Sequence, residues 1–302
     1  MKNKIVRKSH RSIFAILIVF VLLVGLSVSL CMANTLPTSQ VSHLRLSGVD
    51  RFQTAKAISE HVNSGTVQDV ILTSGNNFPD ALSASVLSKK LNAPILLADS
   101  TVKGSSEALD YLNQHLTKTG TVHVIGGTGI IGSEFETKLN EMGYTNIDRI
   151  GGYDRYDTDV QIAQKLNVAK NTPVVISSGE NFPDALSVSS VASSKGYPIL
   201  LVGSSMAQGV TDFITNHQPS QVYIVGGTSV VSDSVKAQIS GLVPSAVITR
   251  LAGNDRFDTA GQIASAFSLN PKNIYLASGM NFPDALAWKC FGFDNWRPHH
   301  SD

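Results

Sequence analysis

The sequence predicts an α/β protein of tandem small Rossmann-like or flavodoxin-like units with parallel sheets, two complete and a third truncated. Three observations predict it. The hexapeptide Asn77-Phe78-Pro79-Asp80-Ala81-Leu82 recurs identically at 181–186 and 281–286. A second motif, Gly-x-Asp-Arg-aromatic-x-Thr, precedes each copy, at Gly48–Thr54, Gly152–Thr158 and Gly253–Thr259. Continuous apolar runs of strand length alternate with segments of helical period, as in a parallel sheet covered on both faces.

The elements follow in order. In the first copy His43–Leu46 reads as a short strand and Thr54–Val62 as a helix with Ala55, Ile58 and Val62 on one face. Val70–Leu72 reads as a buried strand. Asn77 can cap the next helix, Pro79 suits its first turn, and Asp80 meets the positive end of the helix dipole. Pro94–Ala98 is the next strand, Ser105–Leu116 a helix, Val122–Ile125 a strand and Ser133–Met142 a helix. Downstream, Pro94-Ile95-Leu96-Leu97 returns as Pro198-Ile199-Leu200-Leu201, and Val124-Ile125-Gly126-Gly127 is echoed by Ile224-Val225-Gly226-Gly227.

The third copy departs from this pattern after Ala287. Pro298 stands where Pro94 and Pro198 stand, but His299, His300, Ser301 and Asp302 follow it instead of an apolar run. Only two strands, Val247–Leu251 and Asn273–Ala277, are then expected in unit three. They bury too little to offset chain entropy alone. The sequence therefore predicts that residues 249–302 are loosely held and that proteolysis leaves a stable fragment ending near 248. The expected organisation is a signal peptide at 1–33, a linker at 34–43, repeats at 44–145 and 146–246, a truncated repeat at 247–287 and an aberrant tail at 288–302.

The first 33 residues carry Lys2, Lys4, Arg7, Lys8 and Arg11, no acid, and an apolar run from Ile13 to Leu30. That order is a secretory signal with Ala33 at the cleavage position. The run is also just long enough for an uncleaved anchor, and Cys31 admits a lipoprotein reading. All three place the rest outside the cytoplasm, with membrane contact only through this segment. Without those five cations, 19 basic against 23 acidic side chains remain, so bulk attraction to nucleic acid is not expected. The two cysteines, Cys31 and Cys290, imply no disulfide framework.

No catalytic constellation is legible, and neither a metal site nor a cofactor is expected. The eight histidines are scattered, and neither His-Glu-x-x-His nor Gly-x-Ser-x-Gly occurs. Gly127-Thr128-Gly129-Ile130-Ile131-Gly132 fits a dinucleotide fingerprint, but the second copy has Gly227, Ser229 and Ser232 at the glycine positions and no acid follows at about 20 residues.

Taken together, Gly-x-Asp-Arg-Phe/Tyr-x-Thr, Ser-Gly-x-Asn-Phe-Pro-Asp-Ala-Leu, Pro-Ile-Leu-Leu and Ile/Val-Gly-Gly resemble the cell-wall-binding repeat type 2 family over residues 44–287. The resemblance implies three Rossmann-like units packed as a pseudo-threefold triangle. It implies non-covalent attachment of secreted or surface proteins of Gram-positive bacteria to an anionic cell-wall polymer. Such repeats also accompany N-acetylmuramoyl-L-alanine amidase domains, and no such domain is present in this chain.

Asp50-Arg51, Asp154-Arg155 and Asp255-Arg256 are the candidate polymer-binding residues. Each Arg stands where ligands sit in open α/β sheets, and a guanidinium suits a forked anion. The competing reading is that each pair contacts the neighbouring unit and fixes the following helix. Asn77, Pro79, Asp80, Asn181, Pro183, Asp184, Asn281, Pro283 and Asp284 read as structural helix starts. Ile95, Leu96, Leu97, Ile199, Leu200 and Leu201 read as buried strand core.

Overall fold

The computed structural model of the protein describes residues 43–269 and 274–287. The signal, the tail and all but the last residue of the linker expected from the sequence lie outside the described residues. Among the described residues no helix is long and apolar enough to cross a membrane.

The chain runs α1 (Arg51–Val62), β1 (Val67–Ser74), α2 (Pro79–Leu91), β2 (Ile95–Ala98), α3 (Ser106–His115), β3 (Leu116–Ile125), α4 (Glu134–Glu141) and β4 (Asn146–Ile150). The same order repeats as α5 (Arg155–Lys165), β5 (Val174–Ser178), α6 (Pro183–Lys195), β6 (Ile199–Val202), α7 (Gln208–His217), β7 (Gln221–Val225), α8 (Asp233–Leu242) and β8 (Val247–Leu251). Two helices complete it, α9 (Arg256–Ala266) and α10 (Pro283–Ala287).

The strands form two four-stranded sheets, ordered β2-β1-β3-β4 and β6-β5-β7-β8, with all pairs parallel. The α/β fold with tandem parallel sheets is as the sequence predicts. Sheet membership, however, is offset by one strand from the sequence repeat. β4 opens the second sequence copy yet pairs with β3, from Thr121↔Asn146 to Ile125↔Ile150. β8 likewise pairs with β7 and closes the second sheet. The crossover through α4 or α8 returns the chain to the edge of the sheet it has just left. Two expectations are corrected as a result. His43–Leu46 is irregular rather than a strand, because its counterparts gain their ladders from a preceding copy. Val247–Leu251 is a strand of the second sheet, so a cut near 248 would sever that sheet rather than spare it.

Asn273 lies outside the described residues, and Ile274–Ala277 are irregular rather than a strand. The flanking strands that hold β1 and β5 are missing at this position among the described residues.

Strand alternation sorts the core into layers. Val70, Leu72 and Leu96 point to an outer cluster with Leu112, Phe135 and Leu139, whereas Ile71, Ile95 and Leu97 point inward. Leu200 joins the outer cluster of the second copy; Ile199 and Leu201 face inward. The inner cluster is continuous across all three copies, from Ile58 and Leu82 through Ile162 and Val188 to Ile263 and Leu286. α2 packs on α5 and α6, α9 packs on α6, and α10 packs on α1 and β2. Among the described residues the third copy therefore packs at both ends, through α9 on α6 and through α10 on α1 and β2. Leu286 and Ala287 are buried although their own sheet is incomplete.

Candidate functional site

The repeated motifs build one local structure three times. Each aspartate of Gly-x-Asp-Arg has extended backbone and caps the helix after it. Asp50 Oδ1 accepts from Gln53 N at 2.8 Å. Asp154 Oδ1 accepts from Tyr156 N and Asp157 N, both at 2.9 Å. Asp255 Oδ1 accepts from Phe257 N and Asp258 N, both at 2.8 Å. The residue at the third helical position reaches back: Asp157 Oδ2 accepts from Tyr153 N, and Asp258 Oδ2 from Asn254 N, both at 2.9 Å. Thr54, Thr158 and Thr259 each accept from the backbone N of the motif glycine at 3.0 Å. A Cβ on Gly152 would lie 2.3 Å from Asp157 Oδ2, so this tight return requires glycine.

Each arginine then ties its helix to the central strand of its own copy. Arg51 Nη1 donates to the Gly75 carbonyl at 2.7 Å, Arg155 to Gly179 at 2.6 Å and Arg256 to Gly279 at 2.8 Å. The aromatic residue after each arginine covers that glycine: a Cβ on Gly75, Gly179 or Gly279 would stand 2.6–2.8 Å from the ring of Phe52, Tyr156 or Phe257. The two motifs thus interlock within a copy, about 30 residues apart in sequence.

Between copies, Phe78, Phe182 and Phe282 meet in a near-equilateral triangle with ring centroids 5.7–5.8 Å apart. Arginines from neighbouring copies lie over these rings: Arg51 is 5.8 Å from the Phe282 centroid and Arg256 5.7 Å from that of Phe182. The first two helix starts also present their aspartates to the arginine of the next copy, Asp80 to Arg155 and Asp184 to Arg256. Burial pushes the Asp80 carboxyl up to about 6, with Arg155 opposing and Asp154 adding to the shift. Burial likewise raises Asp184, opposed by Arg256. The cap expected of Asn77 differs in detail. Phe78 occupies the N-cap position, and Asn77 Oδ1 accepts only from Phe78 N at 3.1 Å. Asn281 does the same with Phe282 N at 3.2 Å. Pro79 and Pro183 stand in the first helical turn, as read from the sequence.

The six Asp-Arg residues therefore sit at the carboxyl ends of the strands around the aromatic triangle. Ile95, Leu96, Leu97, Ile199, Leu200 and Leu201 are all at most 1% exposed and touch no surface there.

These motifs decide the relationship. Residues 45–136, 149–236 and 250–290 match Cell wall binding domain 2 (CWB2). The chain belongs to this family. It is similar to N-acetylmuramoyl-L-alanine amidase LytC of Bacillus subtilis (strain 168), 32% identical over 80% of the chain and 47% of that protein. It is also similar to an amidase enhancer of the same organism, 31% identical over 80% of the chain and 32% of that protein. The chain thus spans less than half the length of these curated relatives. Among solved structures it resembles Cwp8 from Clostridium difficile, with TM-score 0.72, 27% identity and cover of 81% of this chain and 42% of that one. Cwp6 from Clostridium difficile gives TM-score 0.67 and 26% identity, with cover of 83% and 42%. As a CWB2 chain it carries cell wall binding repeats, which place it with cell-surface proteins, and the matched regions comprise binding repeats with no catalytic domain.

Two features of the CWB2 units escaped the sequence reading. Asp159, at the fourth position after Arg155, is wholly buried, and its counterparts in the other copies are Ala55 and Ala260. Its Oδ2 accepts from Leu201 N at 2.7 Å, while Oδ1 has no partner among the described residues. Burial pushes its carboxyl up to about 8; the Leu201 bond and the nearby Ser83 side chain oppose this and Asp80 adds to it. The second feature is His123 on β3, clamped between Asp148 at 2.8 Å through Nδ1 and Asp69 at 2.9 Å through Nε2. Lys165 Nζ, at the end of α5, reaches the same Asp148 at 2.8 Å and so ties that helix to the edge strand of the first sheet.

Proposed function

We propose that this chain attaches non-covalently to the Gram-positive cell wall through its tandem repeats, which bind an anionic wall polymer outside the cell. The observation that carries this reading is the repeated half-buried arginine at the carboxyl edge of the sheets. Among the described residues each guanidinium makes one hydrogen bond, from Nη1 to a glycine carbonyl. The fork is thereby held in place with donors left for an anion. Asp50, Asp154 and Asp255 set its direction by capping the same helices. Several equivalent weak sites on one chain bind a repeating polymer with avidity that no single site supplies. The export signal read at 1–33 agrees with such a location. Sedimentation of the purified chain with isolated walls, before and after acid extraction of the anionic polymers, tests the proposal.

A second reading is supported by the similarity to LytC, whose name describes an amidase. In that reading the chain corresponds to the anchoring part of a wall-lytic N-acetylmuramoyl-L-alanine amidase, and hydrolysis belongs to a domain outside it. Sequencing the source DNA past codon 287 separates the two. A hydrolase domain in frame supports the enzyme reading, and restored repeat sequence supports attachment alone.

A further inference from the structure

Two of the hexapeptide aspartates lie at the same edge as the arginines. Asp80 stands in the first turn of α2 and Asp184 in that of α6. A Cβ on Gly126 would stand 3.0 Å from Asp80 Oδ2, and one on Gly226 2.7 Å from Asp184 Oδ2. Both glycines have positive φ and directly follow β3 and β7. Each carboxylate thus rests against a bare backbone turn at the carboxyl edge of its sheet. Among the described residues neither accepts a hydrogen bond. The capping aspartates differ, since backbone N–H groups bind them. A carboxylate removed from water and left without a donor gives up its charge readily.

The arginine of the next copy meets each of them. Arg256 lies over the ring of Phe182, two residues before Asp184, and its charge opposes the effect of burial there. Arg155 acts in the same way on Asp80, while Asp154 and Asp159 face Asp80 as further acids. The helices α6 and α10 also pack on α2, and they begin with Asp184 and Asp284 in their first turns. The strands beneath α2, namely β1, β3 and β6, end in Ser74, Ile125 and Val202 and bring no charge to this edge. Beside Asp184, α9 brings Arg256, its capping Asp255 and Asp258. At neutral pH Asp159 keeps its proton. One guanidinium, that of Arg155, then faces two charged carboxylates, Asp80 and Asp154. The site carries an excess negative charge, which works against an anionic occupant.

We propose that Asp80 and Asp184 are proton-operated competitors for Arg155 and Arg256, so that attachment to an anionic polymer tightens as the surroundings acidify. The proposal rests on the attachment reading above and adds a control to the same site. An ionised Asp80 draws on the guanidinium of Arg155 and repels an incoming anion. A protonated Asp80 does neither, and the donors of Arg155 not used by Gly179 are left to the polymer. Burial has already brought Asp80 to about 6, so the change needs only mild acid. Linkage gives the sign. A bound anion makes Asp80 harder to ionise, so binding takes up a proton and is favoured by lower pH. Asp184 and Arg256 repeat the arrangement one copy further on.

The test is co-sedimentation of the purified chain with isolated walls at low salt, between about pH 8 and about pH 5, with binding divided by the folded fraction. The double variant Asp80→Asn with Asp184→Asn carries an amide in place of each protonated acid. It should bind about five-fold or more tightly than wild type at about pH 8 and about equally at about pH 5. The walls and the histidines are common to both proteins, so their titration cancels in this ratio. Asp110→Asn with Asp212→Asn removes the same formal charge from the outer helices α3 and α7 and should follow the wild-type profile throughout. Two results overturn the proposal and leave attachment standing. One is a ratio of variant to wild-type binding that does not change with pH. The other is an equal gain from the Asp110 and Asp212 changes, which would reduce the effect to net charge. Failure of wild type and variants alike to sediment with walls at any pH overturns the attachment reading itself, and this proposal with it.

Discussion

Arg155 donates from Nη1 to the carbonyl of Gly179 at 2.6 Å, joining the start of α5 to the end of β5 across 24 residues of sequence. The same bond recurs from Arg51 and Arg256. It gives the arginine a structural duty and at the same time points it at the strand ends. Replacing Arg51 and Arg155 together with Ala should weaken wall binding several-fold and flatten its salt dependence, because screened ionic contacts are lost. Binding per folded molecule, measured beside the thermal midpoint, separates this from unfolding. If binding falls only in step with the folded fraction, the arginines serve structure alone.

The capping aspartates should show up in stability. Asp154→Ala removes the acceptor for two backbone N–H groups at the start of α5 and should cost about 1 kcal/mol. Asp154→Asn should cost much less, since an amide oxygen caps nearly as well. Urea unfolding of the two variants reads the difference.

Asp159 predicts a pH dependence of definite sign. Its folded pKa, about 8, lies above the carboxylate range of the unfolded chain, whose ordinary value is 3.8. The folded state therefore holds a proton that the unfolded state releases. This group's contribution to stability is fully present below about pH 4. It is lost progressively as pH rises towards its folded pKa of about 8. Asp159→Ala, which installs the residue found at 55 and 260, should raise the thermal midpoint at pH 8 and flatten its decline between pH 5 and pH 8. An unchanged slope in the variant would show that Asp159 is not the titrating group.

The buried Leu97 tests whether the Pro-Ile-Leu-Leu strands act through packing. Leu97→Ala should cost about 2–5 kcal/mol, the usual range for a cavity in a closed core. Wall binding corrected for the folded fraction should stay unchanged. A loss of binding at full folding would place this strand in the binding surface instead.

The repeats made much of the fold legible. Identical hexapeptides fixed three equivalent helix starts, and apolar runs such as Val70–Leu72 identified strands buried on both faces. The offset of β4 and β8 was hidden, because a sequence period has no natural origin and only the crossover decides which sheet a strand joins. The Phe78, Phe182 and Phe282 triangle was hidden for a related reason. Each phenylalanine reads locally as a residue packing under its own helix, and only the relation between copies brings the three together. Asp159 did leave a signal, as an acid in a helix where both other copies carry alanine.

The measurement that bears most directly on the account is co-sedimentation of purified residues 34–302 with isolated Gram-positive walls, before and after acid removal of the anionic polymers. The account predicts salt-sensitive binding to intact walls that disappears once those polymers are stripped. Undiminished binding to the bare peptidoglycan would contradict it.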